Sequence, residues 1–190
     1  MSSTALRRPM SLDEFLAWEE RQEARFEFDG FQPVAMTGGS VEHSTIEINL
    51  TTALRNRLRD RPCRAHGSNL KIEVAGRIRY PDAFVVCSPV PSGATVVTDP
   101  VVVFEILSPS TAGVDRIVKN QEYRDTPSIQ RYVMLEQSRQ AATIFARAGD
   151  DWVGHVVAND AVLEMPEIGI SLPLAELYDG VGLPAEDEAD

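Results

Sequence analysis

The stretch "VVVFEILSPST", residues 101–111, carries a glutamate, Glu105, late in a run that otherwise reads as one buried strand. A lone ionised carboxylate in apolar surroundings costs several kcal/mol or is driven to its neutral form, so Glu105 calls for a cation, a metal or a set of donors beside it. Asp82, in "YPDAFVV", heads an earlier strand. If the two strands are neighbours, as consecutive strands usually are, the carboxylates converge and can share one divalent cation. Mg2+ takes one or two carboxylates together with waters and phosphate oxygens, which suits a two-acid site. Each acid alone also has a plainer reading: Asp82 as a turn residue after Pro81, Glu105 as a strand end reaching solvent.

A third charge stands in the next segment. The chain has 16 arginines and two lysines, Lys71 and Lys119, so wherever a plain positive charge suffices arginine is the usual choice. Asp115, Lys119 and Tyr123 recur at i, i+4 and i+8 on one helical side. The bland reading is an exposed Asp–Lys pair. The sharper one is a cation beside a metal, able to orient or deprotonate an attacking water or to stabilise negative charge developing on a phosphate. A lysine's pKa is shifted more readily than an arginine's, which accounts for lysine here. His43, just past Gly38-Gly39-Ser40 with Glu42 beside it, is either a hydrogen-bonding residue at a helix start or an accessory group of the same cleft. His66 and His155 have no informative context. No G-x-S-x-G, P-loop or Rossmann fingerprint occurs, so serine-hydrolase, P-loop NTPase and dinucleotide-dehydrogenase readings lack support.

The elements that must position these residues can be read from periodicity. "SLDEFLAWEERQEAR" opens with Ser11 and Glu14 in capping-box spacing and predicts a short amphipathic helix. "RFEFDGFQPVAM" predicts a hairpin about Asp29-Gly30. Ser40 caps a second helix whose Ile46, Leu50, Leu54 and Leu58 recur every four residues until Pro62. Leu70, Ile72 and Val74 predict a strand, residues after Pro81 another, 88–99 a loop, and 101–107 the strand bearing Glu105. "STAGVDRIVKNQEYRDTP" predicts a helix with Val114, Ile117, Val118 and Tyr123 on its apolar side. Three strands ("RYVMLEQ", "AATIFARA", "DWVGHVV") and a short helix at "PLAELY" complete the order, which implies an α/β fold: a mixed α+β sheet flanked by helices.

The chain's 190 residues suit one domain over 10–180, with 1–9 and 181–190 as flexible termini. No apolar run reaches membrane-spanning length and the N-terminus lacks a signal-peptide core, so a cytoplasmic protein without membrane contact is expected. Cys63 and Cys87 lack ligand spacing; reduced thiols filling the core are the expectation. The net charge of −11 argues against indiscriminate nucleic-acid binding. Within residues 51–80, however, Arg55, Arg57, Arg59, Arg61 and Arg64 form a basic run that either contacts backbone phosphates or lines a solvated helix face.

From Met10 to Gly180 the sequence resembles the Uma-type family of bacterial candidate endonucleases, of the PD-(D/E)xK restriction-endonuclease-like fold. The resemblance is carried by "VVVFEILSPSTAGVDRIVKNQEYRDTPSIQRYVML", where Glu105, Ser108 to Thr111, Asp115, Lys119, Tyr123 and Pro127 fall at the family's spacing, with "YPDAFVV", "FEFDG" and "GGSVEHSTIEINL" in support. It implies Asp82 and Glu105 as metal ligands, the Ile106 carbonyl as a further ligand, Mg2+ or Mn2+ as cofactor and DNA as partner. The superfamily lysine ordinarily stands two residues after the glutamate, where this chain has Leu107, so Lys119 is implied as its migrated replacement; "RFE" suggests Glu27 as an accessory acid, alongside His43 and Tyr123. The implied activity is hydrolysis of DNA phosphodiester bonds by a metal-activated water. A non-catalytic nucleic-acid-binding or interaction module keeping the fold, or a metal-dependent hydrolase of a small phosphorylated molecule, are the alternatives. A homodimer is compatible with either.

Overall fold

A computed structural model describes residues 9–36, 38–108, 113 and 115–183. The expected flexible termini fall largely outside these residues, as do Pro109–Thr111 and Val114.

The centre is a six-stranded mixed sheet in the order β11-β10-β9-β8-β6-β3. Its strands are β3 (Arg64–Gly67), β6 (Ala83–Val86), β8 (Pro100–Leu107), β9 (Arg131–Glu136), β10 (Ala141–Ala148) and β11 (Asp151–Ala158). β8 lies between antiparallel β6 and parallel β9. Both faces of β8 are covered, which is why it reads as a near-continuous apolar run rather than an alternating one. On one face Val102, Phe104 and Ile106 meet Ile46, Leu50 and Leu54 of helix α2 (Val41–Arg57). On the other, Val103 and Leu107 meet Ile72, Tyr123 and Ile129.

Helix α2 starts where the sequence implies. Ser40 Oγ accepts the His43 N–H at 3.2 Å, and the four-residue apolar rhythm of Ile46, Leu50, Leu54 and Leu58 is buried throughout. The α2 face of the sheet is completed by a hairpin, β12 (Val162–Met165) with β13 (Ile170–Pro173), and a short C-terminal helix (Leu174–Leu177). Gly169, at φ +67°, makes the hairpin's turn, and its carbonyl accepts from Arg61.

A second sheet, β2-β1-β5-β4-β7, is built from β1 (Phe26–Phe28), β2 (Pro33–Ala35), β4 (Lys71–Val74), β5 (Arg77–Arg79) and β7 (Val96–Val97). Helix α1 (Leu12–Glu19), with its Ser11/Glu14 capping box formed, packs on it through Phe15, whose ring stacks on Phe28 at 4.9 Å. The expected single sheet is thus two larger sheets and a separate two-stranded one, β12–β13; β3, β5, β7 and that hairpin are additions. β3, β5 and β7 are short or carry charged and small residues, whereas β12 and β13 alternate between exposed and buried positions over only four residues each. Among the described residues no helix is long and apolar enough to cross a membrane.

Two expectations are corrected. Cys63 and Cys87 are joined in a disulfide. Cys63 precedes β3 and Cys87 follows β6, and the pairing of Arg64 with Val86 brings the cysteines opposite each other, a juxtaposition invisible to spacing along the chain. The segment after Glu105 is also not a regular helix. A π-helical turn (Asp115–Lys119) leads into helix α3 (Asn120–Arg124). Of the expected apolar side, Ile117 and Val118 are turned out, Ile117 being 74% exposed, while Tyr123 faces inward together with Lys119 and Glu122. The polar residues win the interior because each finds a charged or hydrogen-bonding partner there.

Candidate active site

Strand register brings the two acids together. Ala83 pairs with Phe104 in antiparallel β6 and β8, so the residue before one lies opposite the residue after the other: Asp82 and Glu105. Asp82 Oδ2 accepts the Ile106 N–H at 2.6 Å, which ties the head of β6 to the end of β8. Both acids line a cleft of about 770 Å3, together with Glu27, His43, Glu47 and Lys119.

Glu105, 4% exposed, is surrounded by donors. Lys119 Nζ stands 3.0 Å and the Tyr123 hydroxyl 2.7 Å from its Oε1. Both donors come from the π-turn and α3, one helical turn apart on the same side. Burial, reinforced by the Glu105 charge, raises the Tyr123 pKa well above its ordinary value, so the phenol keeps its proton and donates. Lys119 also lies 3.3 Å from Glu27 Oε1, and Glu27 in turn accepts the Tyr80 N–H at 3.1 Å and contacts Arg79 at 3.2 Å. Arg79 forms a two-point pair with Glu122, both bonds 2.7 Å, and Arg77 reaches Glu122 at 3.0 Å. Burial opposes the Arg79 charge, but the Glu122 bonds and the fields of Glu27 and Glu122 outweigh it and hold its pKa above the usual guanidinium value. The result is an alternating chain of carboxylates and cations running from Glu105 to Arg77. Lys71, the other lysine, is likewise buried, paired with Glu19, which also accepts from the Tyr80 hydroxyl at 2.7 Å.

The Asp82 side is different. His43 Nε2 stands 3.1 Å from Asp82 Oδ1. Glu47, one turn further along α2, faces the same way and accepts from the Ser68 hydroxyl at 2.6 Å. Ligand atoms of His43, Glu47 and Asp82 all lie within 4.8 Å of one another. The carboxylates of Asp82 and Glu105, and the grouping of His43, Glu47 and Asp82, are ligand types that could hold a divalent metal ion.

Of the residues singled out by sequence, the structure gathers Asp82, Glu105, Lys119, Glu27, His43 and Tyr123 in one place, with Ile106 on the cleft wall. The arginine run is elsewhere. Arg57 pairs with Glu176 and donates to the Ser171 carbonyl; Arg61 donates to the Gly169 carbonyl, and Arg64 to those of Arg61 and Cys63. Arg57 lies about 21 Å along α2 from His43, at 1.5 Å per residue, so this run does not line the cleft. Arg55 and Arg59 are exposed. Sequence reasoning missed Glu47, Arg79 and Glu122. The four-residue step from His43 marks Glu47 as sharing its helix face, whereas Arg79 and Glu122 are identified only by a pairing across the fold.

A mixed sheet flanked by helices, in which adjacent strands bring an aspartate and a glutamate side by side, is of the restriction-endonuclease-like fold. The fold matches the crystal structure of a protein from Anabaena variabilis ATCC 29413, described as a "putative nuclease belonging to DUF820", with a TM-score of 0.74 and 20% identity over 90% of this chain and 98% of that one. Residues 12–175 match the Uma2 family, described as "Putative restriction endonuclease", and the chain belongs to that family. Two Synechocystis relatives align over most of their length. Uncharacterized protein slr1290 is 35% identical over 177 residues, 90% of this chain and 93% of the relative. Uncharacterized protein sll1609 is 26% identical over 155 residues, 79% and 88% respectively.

Proposed function

We propose that the protein is a metal-dependent endonuclease that hydrolyses DNA phosphodiester bonds, with Asp82 and Glu105 as the acids on which the reaction depends. The observation that carries this reading is the convergence of Asp82, Glu105 and Lys119 at one cleft, on adjacent strands and the segment that follows. Asp82 and Glu105 would hold Mg2+ or Mn2+, which when bound supplies Lewis acidity to a water and neutralises phosphate charge. Lys119, fixed between Glu105 and Glu27, holds a positive charge beside the acids, placed to steady negative charge on a phosphate oxygen. Tyr123 orients Glu105 through its hydroxyl, and Asp82 is oriented by the Ile106 N–H.

The test is incubation of the wild-type protein and Glu105→Gln with plasmid and single-stranded DNA at low salt, in Mg2+, Mn2+ or chelator. Nicking or cutting that requires metal and is lost in the folded variant is the expected result; none with either metal on either DNA contradicts it. A second reading, a metal-dependent hydrolase of a small phosphorylated molecule, is favoured by the size of the cleft, which suits a small ligand, and by the distance of the arginine run from it. A screen of nucleotides and small phosphodiesters separates the two.

A further inference from the structure

The two larger sheets end in the edge strands β2, β7, β3 and β11, and the first three are blunted. β2 has three residues and begins at Pro33, β7 has two, and β3 has four, opens on Arg64 and lies beside the Cys63–Cys87 disulfide. β11 is different. Its eight residues, "DWVGHVVA", include no proline, lysine or arginine, and they pair with β10 in one unbroken register. Six of the eight are exposed, among them Val153 at 55% and Val156 at 63%. Edge strands are ordinarily kept from pairing with another chain by shortness, proline, bulges or charged side chains, lysine above all. β11 carries one carboxylate, at its first residue.

The ladder fixes which backbone groups point away from β10. The Asn159 N–H donates to the Gln140 carbonyl at 3.0 Å. Hydrogen-bonded pairs alternate along an antiparallel ladder, so Val157, His155 and Val153 bond to β10, while Trp152, Gly154 and Val156 turn N–H and C=O outward. The bond from the Arg147 N–H to the Gln130 carbonyl, on the far side of β10, gives the same phase. Next in the outward series is Ala158, whose carbonyl is engaged by the Ala161 N–H at 3.2 Å. The fully open run is therefore Trp152 to Val156, centred on Gly154. A Cβ there would lie 2.8 Å from Phe145 Cε1, so glycine lets that ring cover the sheet face between Trp152 and Val156.

We propose that β11 is a homodimer interface, pairing antiparallel with β11 of a second copy of the chain about a two-fold axis at Gly154 and joining two six-stranded sheets into one. In this register Gly154 meets its own counterpart, Trp152 meets the partner's Val156, and Val153 meets the partner's His155. The outward groups then complete about six backbone hydrogen bonds, and no like charges stand opposite each other. Centring the pair on His155 instead would oppose two imidazoles and call on the Ala158 carbonyl, which is engaged. A chain of net charge −11 repels its own copies at long range, so self-association needs a segment nearly free of carboxylates, which β11 supplies. Salt screens that repulsion and strengthens the dimer. A contact of this length stands at the low end of interface sizes, which sets the dissociation constant at about 1–50 µM. The inference is independent of the proposed nuclease activity.

Sedimentation velocity of the full-length protein, from about 5 to about 500 µM so as to bracket that constant, at low and high salt, tests it. Val156→Pro removes an outward N–H while sparing the ladder to β10. Val156→Lys sets a charge against the partner's Trp152 although it lowers the net negative charge. Ile48→Lys, on the exposed side of α2 away from this edge, makes the same charge change as a control. Wild-type protein is expected to form dimers with rising concentration, more so at high salt. Both Val156 variants should weaken the dimer about tenfold or more, and Ile48→Lys should leave it unchanged. Circular dichroism establishes folding, and Val156→Lys decides alone if the proline variant does not fold. A wild-type protein that stays monomeric at every concentration, a dimer that salt weakens, one that persists unchanged in folded Val156→Lys, or one lost equally in Ile48→Lys would each overturn the inference.

Discussion

Asp82 and Glu105 sit opposite one another on adjacent strands, yet one is enclosed by donors and the other faces an imidazole and a second carboxylate. The Glu105 side is internally neutralised: Lys119 and Tyr123 supply its donors, and Glu27, Arg79, Glu122 and Arg77 extend the alternation of charge into the interior. On the Asp82 side, neither Asp82 nor Glu47 has a lysine or arginine at ion-pair distance among the described residues. The sheet register decides where the acids stand, and the helices on either side decide how each is used.

That contrast can be broken most forcefully at Lys119. Lys119→Met leaves buried Glu105 and partly buried Glu27 without their shared cation, and chemical denaturation should show a loss of about 3–5 kcal/mol. Glu105→Gln weakens the Lys119 and Tyr123 bonds and should cost about 1.5–3 kcal/mol, whereas Asp82→Asn, which relieves repulsion with Glu47, should change stability by about 1 kcal/mol or less. Equal losses for the two would erase the proposed difference between the sides. Tyr123→Phe isolates one donor and should cost about 1–2 kcal/mol by the same denaturation assay.

Two smaller effects lie away from the cleft and serve as controls. Burial lowers the His66 pKa below 6.5, and its Nε2 has no hydrogen-bond partner among the described residues. Above pH 6.5 the ring is neutral folded or unfolded; as pH falls below that value the unfolded chain takes the proton first, so stability declines until the folded ring titrates as well. Melting curves of His66→Phe across that window should show a shallower acid-side decline than wild type. Arg57→Ala removes a partly exposed pair with Glu176 and a bond to the Ser171 carbonyl, and should cost about 1 kcal/mol or less without altering activity.

Much of this arrangement is legible in the sequence because it depends on local signals. The Ser11 and Ser40 caps, the rhythm from Ile46 to Leu58 and the apolar run around Glu105 each specify an element that the structure contains. The question raised by a glutamate in that run has its answer in Lys119 and Tyr123, both reachable by helical spacing. What spacing could not convey was pairing across the fold: Cys63 with Cys87, Arg79 with Glu122, and Arg57 with Glu176. The helix after Glu105 misleads for a related reason. Its apolar residues suggest an inward face, but the charged partners waiting on β1, β5 and β8 draw Lys119 and Glu122 inside and leave Ile117 in solvent.

The most direct test of the central claim is a nicking assay on supercoiled plasmid with wild-type, Asp82→Asn and Glu105→Gln proteins, run with Mn2+ and with chelator on samples whose folding has been checked by melting. The account expects metal-dependent nicking by the wild type and none by either folded variant. Nicking that persists in both folded variants, or that ignores the chelator, would contradict it.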